Sequence, residues 1–193
     1  MKCCIHKHLY NYVFSSKMFT FFQSGFIKGD SNVNQLAFFY NDVSKALDEV
    51  KEVRTVFCDV SKAFDRVWHQ GLIHKLSSIG ISGSLLHWFS SYLSERKQRV
   101  VLSNSASRFL TSNAGVPQGS IIGPLLFLIF INDIVNDIMA NIRLFADDTS
   151  LYIIVEDTVA SVAVLNHDLS QLSSWSKKWL VTFNPSKLNL FFL

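Results

Sequence analysis

Two adjacent acidic residues interrupt an apolar stretch in the segment RLFADDTSLYIIV, which covers residues 143–155. Neighbouring residues of a β-strand point to opposite faces, so an Asp-Asp pair inside one strand would place a carboxylate on a buried face. We therefore predict two strands joined by a turn that carries Asp147 and Asp148. A hairpin tip of this kind holds both acids at one end of a sheet.

The rest of the chain alternates between helical and strand-like segments in an irregular order. Hairpin-like pairs of strands, without a regular strand–helix–strand repeat, favour an α+β fold over a parallel α/β fold. The apolar stripe predicted for the second helix consists of Leu36, Phe39, Tyr40, Val43 and Leu47. The predicted helices cover residues 3–22, 33–52, 66–79, 82–94, 121–138 and 158–178, and the predicted strands cover 54–60, 97–103, 107–113, the two runs that flank the acids, 180–184 and 187–193.

The composition indicates a packed domain in a reducing compartment. Hydrophobic residues make up 49% of the chain and charged residues 17%, which disfavours disorder. The net charge of +3 is compatible with a polyanionic partner but does not by itself indicate one. Cys3, Cys4 and Cys58 lack the spacing of a zinc site, so we predict an intracellular protein, nuclear or cytoplasmic, that is not secreted. The apolar run at 121–131 is shorter than the ~20 residues that span a bilayer, so it predicts a buried helix and no membrane association.

A further acid follows another strand-like run. In TVFCDVSKAFDRVWH, residues 55–69, Asp59 comes directly after the strand-like residues TVFC. Acids at two strand ends can converge on a pair of divalent cations, which stabilise the charges of a phosphoryl transfer. The alternative is that Asp59 caps a helix, and Asp65 is interpreted as a cap or a salt-bridge residue.

The loop AGVPQGS at residues 114–120 precedes the apolar helix and is the third candidate segment. Gly119 allows the backbone to approach a ligand closely, and the Gln118 amide can both donate and accept hydrogen bonds. Taken alone, the segment is better explained as a Pro/Gly loop that caps a buried helix.

In this order, the segments FCDVSKAFDRV, AGVPQGSIIGPLLFLIFINDI and LFADDTSLY closely resemble successive motifs of reverse transcriptases, above all those of non-LTR (LINE-type) retrotransposons. QSGF (23–26) and WSKKWLVTFNPSKLNL (175–190) resemble the family segments before the first motif and after the acidic hairpin. The resemblance implies a polymerase palm, which is a ferredoxin-like or RRM-like antiparallel sheet with packed helices. It divides the chain into partial fingers (1–52) and a palm (53–193), with the thumb absent.

The implied activity is that of an RNA-directed DNA polymerase, a nucleotidyltransferase. It would add deoxynucleoside triphosphates to a DNA primer on an RNA template, with two Mg²⁺ ions or, as a substitute, Mn²⁺. An aromatic ring at position 64 would crowd the 2′ position of the sugar and select deoxynucleotides. Carried over by position, the resemblance assigns Asp59, Asp147, Asp148 and Lys187 as catalytic residues, Asp59, Val60, Asp147 and Asp148 as metal ligands, Lys62, Ala63, Phe64, Gln118 and Gly119 as nucleotide-binding residues, and Phe145 as a contact to the primer end.

Some features depart from the family pattern and leave other functions open. Related sequences carry basic residues where this chain has Ile27 and Asp30, which is expected to weaken phosphate binding, with Lys28 compensating in part. The alternative to a polymerase is a truncated, inactive retroelement remnant that keeps the palm fold and weak nucleic-acid binding. An RRM-like RNA-binding module is disfavoured, because such a sheet needs stacking aromatics rather than an acidic tip. The apolar end NLFFL (189–193) is expected to be an aggregation-prone edge.

Overall fold

The computed structural model describes residues 2–193, so the first residue of the predicted N-terminal region, Met1, lies outside the described residues. The helices are α1 (Lys2–Ser15), α2 (Asn32–Asp48), α3 (His69–Ser78), α4 (Gly83–Leu93), α5 (Gly123–Ile131) and α6 (Thr158–Trp179). The strands are β1 (Val53–Asp59), β2 (Arg96–Gln98), β3 (Val101–Leu102), β4 (Ser105–Ala106), β5 (Leu110–Ser112), β6 (Asn141–Phe145), β7 (Asp148–Ile154) and β8 (Asn189–Phe192). Short 3-10 turns lie at Ala63–Arg66, Asn132–Val135 and Pro185–Lys187.

The main sheet has four strands in the order β6-β7-β1-β8, and each neighbouring pair is antiparallel. Two smaller ladders join β2 to β5 and β3 to β4. An antiparallel sheet with helices packed against it confirms the predicted α+β fold.

One face of the main sheet forms the core of the protein. Val56 and Cys58 of β1 alternate with the residues of the opposite face and are buried together with Leu144 and Leu151. Helix α5 packs in this core, and every residue from Leu125 to Ile131 is buried, as predicted for the apolar run. None of the helices in residues 2–193 is long and apolar enough to cross a membrane.

The opposite face, which we call the open face, carries Asp59 and Phe57 and is covered by α2 at one end. Phe39 of α2 packs edge-to-face on Tyr152 of β7, with ring centroids 5.0 Å apart. The Tyr152 hydroxyl donates a hydrogen bond to the carboxylate of Asp42. Because these contacts lie at the end of the sheet remote from Asp59, the acidic end stays uncovered by this helix.

The helix ends follow local signals in the sequence. The Ser31 hydroxyl accepts a hydrogen bond from the Asn34 N–H at 3.2 Å, and the Asp157 carboxylate accepts one from the Ala160 N–H at 2.6 Å. Gly80 follows α3 with a φ of +91°, which confirms the predicted helix end at this glycine.

Several predicted boundaries are wrong. The first helix ends at Ser15 rather than at residue 22, and the helix predicted for 121–138 ends at Ile131 and continues as a 3-10 turn. The strand predicted for 180–184 is absent from the described fold apart from a single bridge between Val60 and Phe183. Leu180 adopts a left-handed conformation with a φ of +57°, which ends α6 and turns the chain before a strand can form.

The apolar stripe predicted for α2 is also partly wrong. Phe39 and Val43 contact the sheet, but Leu36, Tyr40 and Leu47 are exposed. The helix meets the sheet along the narrower line of residues 39, 43 and 46, a spacing of i, i+4 and i+7 that leaves the flanking positions in solvent.

A buried lysine connects α3 to the helices of the core. Lys75 is only 6% exposed, and its ammonium donates hydrogen bonds to the Phe130 carbonyl and the Asp133 carboxylate. Its Nζ lies 3.8 Å from the ring centroid of Trp179 and 5.2 Å from that of Trp175. Burial lowers the pKa of Lys75 to about 8, although the charge of Asp133 acts in the opposite direction.

This lysine predicts a specific pH dependence of stability. Because the pKa of Lys75 is about 8 in the folded protein and 10.5 when unperturbed, the unfolded chain binds more protons between these values. The free energy of unfolding should then rise with pH by roughly 3 kcal/mol over this interval. Urea unfolding of wild type and Lys75→Met between pH 7 and 10.5 would measure it, with the exposed Lys7→Met as control. The Lys75→Met variant should lose this rise, and equal pH slopes in all three proteins would contradict the account.

Candidate active site

Three carboxylates lie at the uncovered end of the open face. Asp59 is the last residue of β1 and Asp148 the first residue of β7, and the two are direct partners in the antiparallel register. Ala146 and Asp147 form the two-residue turn that joins β6 to β7, and Ala146 has a φ of +55°. The predicted hairpin is confirmed, with the correction that only Asp147 lies in the turn, because Asp148 already pairs with Asp59 and with Phe145.

The three acids interact electrostatically. Directly paired residues of antiparallel strands share a face, and like charges in such a pair are destabilising. The Asp59 side chain is only 14% exposed. Burial raises the pKa of Asp147, and the charge of Asp59 raises it further. Burial also raises the pKa of Asp148, as do the charges of Asp147 and Asp59. A cluster of mutually repelling carboxylates such as this one is typical of a cation-binding or catalytic site.

Lys187 provides a positive charge at this site. Its Nζ lies 3.0 Å from Oδ2 of Asp59, and the hydrogen bond to that carboxylate raises the pKa of Lys187. The lysine ends the 3-10 turn Pro185–Lys187. That turn is fixed to β1 by a hydrogen bond of 2.8 Å from the Asn184 N–H to the Asp59 carbonyl. The structure thus brings the predicted Lys187 to the acids.

The donor set fits hard divalent cations by its chemistry. The carboxylates of Asp59, Asp147 and Asp148, and the carbonyl of Val60 that the sequence adds to them, offer oxygen atoms, the type of ligand that Mg²⁺ prefers. In residues 2–193, however, no group of three or more His, Cys, Asp or Glu side chains is arranged as a ready-made metal centre. The residues present thus fit a hard divalent cation by the chemical type of their oxygen atoms, although they are not arranged around one, and the Lys187 ammonium lies against one of the carboxylates.

The turn that carries Asp147 is held from a distant part of the chain. Gln23 is 5% exposed, and its Oε1 accepts hydrogen bonds from the N–H groups of Ala146 at 2.9 Å and Gly25 at 2.8 Å. Its Nε2 donates to the Ala146 carbonyl at 3.3 Å. A left-handed conformation is unfavourable for alanine, so these bonds support the turn. Gln23 was not predicted as a site residue, although the segment QSGF that contains it had been singled out.

Gly25 lies against the same turn. A Cβ atom at this position would be 2.2 Å from the Ala146 nitrogen and 2.9 Å from the carbonyl carbon of Phe145. Only a residue without a side chain permits this approach, so Gly25 and Gln23 together fix the position of the acidic hairpin.

The predicted nucleotide-binding residues form a neighbouring group. Lys62, in a left-handed conformation, precedes the 3-10 turn that begins with Ala63 and Phe64, and the first N–H groups of such a turn have no partner within it. The loop at 114–120 packs on this turn through a hydrogen bond of 2.7 Å from the Val116 N–H to the Phe64 carbonyl. The Phe64 ring stacks on Phe127 with a centroid distance of 4.9 Å.

A polar cleft of about 500 Å³ lies between this turn and the loop. Its walls include Lys62, Asp65 and Gln118, and Gln118 Nε2 donates a hydrogen bond of 3.2 Å to the Asp65 carboxylate. Gly119 follows in the loop with a φ of +72°. Arg96 and Gln98 of β2 also line this cleft. They were missed in the sequence because the chain from β2 to β5 carries no motif that links it to a site.

A second cleft of about 570 Å³ begins at the acids and runs beneath α2 along the open face. Asp59, Asp148 and Lys187 lie at one end of it, and Phe145 lines it as well. Phe145 is directly opposite Asp148 in the register of β6 and β7, which places the predicted primer-end residue beside the carboxylates.

Comparisons with known sequences give a consistent family. The family model described as "Reverse transcriptase (RNA-dependent DNA polymerase)" matches residues 1–192. A probable RNA-directed DNA polymerase from transposon BS of Drosophila melanogaster is 34% identical over 173 residues, which are 86% of this chain and 19% of that protein. The RNA-directed DNA polymerase from mobile element jockey of Drosophila funebris is 32% identical over 130 residues, 63% of this chain and 14% of that protein. The chain thus spans about a fifth or less of the length of these relatives.

Solved structures show a similar fold. An apo telomerase of Candida tropicalis, truncated from its C-terminal domain, has a TM-score of 0.71 at 14% identity. The match covers 100% of this chain and 40% of the telomerase chain. A telomerase of the same organism in complex with a fragment of telomeric RNA has a TM-score of 0.70 at 12% identity and covers 99% of this chain, which spans 33% of it. At these identities the likeness concerns the fold alone.

Proposed function

The chain belongs to the reverse transcriptase family, in its non-LTR retrotransposon branch, and on that premise we propose that it extends a DNA primer with deoxynucleotides, using RNA as the template. The observation that carries the proposal is the register that sets Asp59 opposite Asp148, with Asp147 in the adjoining turn. Phosphoryl transfer depends mainly on positioning and on electrostatic stabilisation, which clustered carboxylates provide through the cations that they hold.

The acidic residues define where the chemistry would occur. Asp59, Asp147 and Asp148, with the Val60 carbonyl, are the residues that would hold two Mg²⁺ ions, with Mn²⁺ as a substitute. Such ions, when bound, activate the primer 3′-hydroxyl and stabilise negative charge on the departing pyrophosphate. Lys187 stays protonated beside Asp59 and is proposed to donate a proton to the leaving group.

The neighbouring residues are proposed to bind the incoming nucleotide. The N–H groups of Lys62, Ala63 and Phe64 would face its phosphates, because the start of a helical turn favours negative charge. Gln118 and Gly119 of the adjoining loop would pack on the nucleotide and template. The Phe64 ring is held in place by Phe127, which supports its proposed role in excluding ribonucleotides.

Further proposals concern the contact to the primer, the domains and the location of the protein. Phe145 would contact the primer end, and residues 1–52 and 53–193 would correspond to partial fingers and palm.

Asp30, which occupies a slot that is basic in relatives, accepts hydrogen bonds from the Ser31 N–H and the Asn34 amide at the start of α2. This structural role gives a reason for the acid there. An intracellular location, nuclear or cytoplasmic, stays a prediction.

The proposal is tested by primer extension. Purified protein should extend oligo(dT) on poly(rA) when dTTP and Mg²⁺ are supplied, and chelation with EDTA should stop the reaction. The inactive-remnant alternative, which the family matches do not favour, predicts that folded protein yields no product under any of these conditions. Circular dichroism and a cooperative melting transition would establish that the assayed protein is folded.

The contact between Lys187 and Asp59 predicts competition with divalent cations. Because the ammonium lies on one of the proposed ligands, a cation that binds there must displace it. The variant Lys187→Met should therefore bind Mg²⁺ a few-fold more tightly, as measured by the Mg²⁺ concentration that gives half of the maximal rise in melting temperature. In the absence of Mg²⁺ the variant should melt at a lower temperature than wild type, because the acids then repel one another without a counter-charge.

Lys177, one of the two exposed lysines of α6, supplies the matched control for this measurement. Lys177→Met removes the same charge away from the acids and should leave both the Mg²⁺ midpoint and the melting temperature unchanged. If Lys187→Met and Lys177→Met give the same midpoint, Lys187 is not a counter-ion of the site.

A further inference from the structure

An arm of the protein between α4 and the loop at 114–120 has a composition unlike the rest of the chain. The arm, residues 95–113, is formed by β2 paired with β5 at its base and by β3 paired with β4 at its tip. The two ladders are joined by a hydrogen bond of 2.9 Å from the Ser107 N–H to the Val100 carbonyl, and the Ser107 hydroxyl accepts one of 3.0 Å from the Val100 N–H. It is therefore an ordered surface feature built on two short ladders.

The arm carries the whole net charge of the chain. It contains Arg96, Lys97, Arg99 and Arg108 against the single acid Glu95, a net charge of +3, and the net charge of the chain is also +3. The remaining residues hold 14 basic and 14 acidic side chains and are neutral in sum. Lys97, Arg99 and Arg108 are exposed. A concentration of this kind attracts a polyanion to one place on the molecule.

Apolar side chains lie among these basic groups in solvent. The residues Val100, Val101, Leu102, Phe109 and Leu110 are between 54% and 75% exposed. The guanidinium carbon of Arg99 lies 4.7 Å from the ring centroid of Phe109, so a cationic plane and an aromatic ring form a pair on the surface. Exposed cations next to stacking surfaces are the combination that binds single-stranded nucleic acid, because the cations contact the phosphates while unpaired bases stack on the aromatic side chains.

The base of the arm is continuous with the candidate active site. Arg96, Gln98 and Ser112 of the arm line the polar cleft that also contains Lys62 and Gln118. A strand that lies in this cleft would pass directly onto the arm.

We propose that this arm binds a single-stranded polynucleotide beside the active site, with phosphates on Lys97, Arg99 and Arg108 and a base on Phe109. The identification of that strand as the RNA template rests on the proposed function, whereas the binding itself does not. Charge complementarity favours a nucleic acid over a protein, because three exposed basic side chains of the arm lie outside any ion pair in residues 2–193.

Fluorescence anisotropy with a labelled single-stranded RNA tests the arm in the absence of nucleotides and divalent ions. The triple variant Lys97→Gln/Arg99→Gln/Arg108→Gln should bind at least about ten-fold more weakly at low salt. Its slope of log affinity against log salt should fall by about two, as expected for the loss of three phosphate contacts to a single strand. Phe109→Ala should weaken binding about ten-fold and leave the salt slope unchanged, because stacking on a base releases no counterions.

The control removes three positive charges elsewhere. Lys7→Gln/Lys17→Gln/Lys177→Gln changes exposed lysines outside the arm and should keep nearly the wild-type affinity and salt slope. Equal affinities and slopes in the two triple variants would overturn the proposal. The same titration with single-stranded DNA and with duplex DNA identifies the strand, and tighter binding of duplex than of either single strand would also contradict it.

The outcome is separate from that of the primer-extension test. If the protein fails to extend a primer but the arm variants lose RNA binding, the arm assignment holds and the polymerase proposal fails. If primer extension succeeds and the arm variants bind RNA as the control does, the polymerase proposal holds and the arm assignment fails.

Discussion

Asp147→Asn is expected to lower the rate of RNA-templated primer extension by at least about 10³-fold. The substitution keeps the size of the side chain but removes one negative charge from the acids at the end of β1 and β7. A charged group that stabilises the transition state of a phosphoryl transfer is typically worth about 10³–10⁵-fold in rate. Steady-state and single-turnover extension assays would locate the loss in the chemical step rather than in primer binding.

The same variant should not be destabilised. Burial and the charge of Asp59 raise the pKa of Asp147, so the ionised carboxylate is held in an unfavourable environment in the folded protein. Replacing it by a neutral amide relieves this repulsion, and the melting temperature without divalent cations should stay equal or rise. An activity loss that accompanies a large fall in stability would instead indicate a structural role.

Asp48→Asn is the matched control, because Asp48 is an exposed residue at the end of α2. It should retain the wild-type extension rate. Comparable activity in Asp147→Asn and Asp48→Asn would contradict the assignment of Asp147 to the catalytic site.

Gly25→Ala is expected to have the second largest effect, although Gly25 bears no functional group. The added Cβ would lie 2.2 Å from the Ala146 nitrogen, so the turn that carries Asp147 must move. A displacement of about 1 Å in a positioned group can cost about 10²-fold in rate, and overpacking costs about 1–3 kcal/mol in stability. We expect both effects, with the rate falling by more than the loss of folded protein explains.

Gln23→Ala supplies an independent test of the same support. It leaves the buried N–H groups of Ala146 and Gly25 without their acceptor, each at a cost of about 1–3 kcal/mol. Ser24→Ala, between the two positions, is the control: it removes a side-chain hydrogen bond to Asp30 but none to the turn, and it should extend primers at the wild-type rate. If Gly25→Ala and Gln23→Ala both extend primers at the wild-type rate, Gly25 and Gln23 do not hold the turn that carries Asp147 in its active position.

The sequence predicted the acidic hairpin well because its evidence is local. Two apolar runs that flank Asp147 and Asp148 can be buried only if the chain reverses between them, and a short turn fixes the register. Asp59 was predicted from the strand before it, and its pairing with Asp148 follows from the antiparallel order of the sheet. Lys187 was assigned by resemblance alone, and its contact with Asp59 agrees with that assignment.

The supports of the site could not be predicted from local patterns. Gln23 lies 123 residues from Ala146 in the chain, and neither periodicity nor composition connects the two. The predicted strand at 180–184 failed because β-rich residues say nothing of the left-handed turn at Leu180 that precedes them. The stripe of α2 failed because the width of the contact with the sheet is a tertiary property, which left Leu36 and Tyr40 exposed.

The central claim is that β1 and the β6–β7 turn assemble one site for divalent cations. Calorimetric titration with Mn²⁺, in the absence of nucleotide and nucleic acid, measures this directly. Wild type and Asp48→Asn are expected to bind Mn²⁺ with the same affinity, whereas Asp59→Asn and Asp147→Asn should each bind it at least about ten-fold more weakly. Unchanged Mn²⁺ affinity in both Asp59→Asn and Asp147→Asn would show that these carboxylates do not form a cation site.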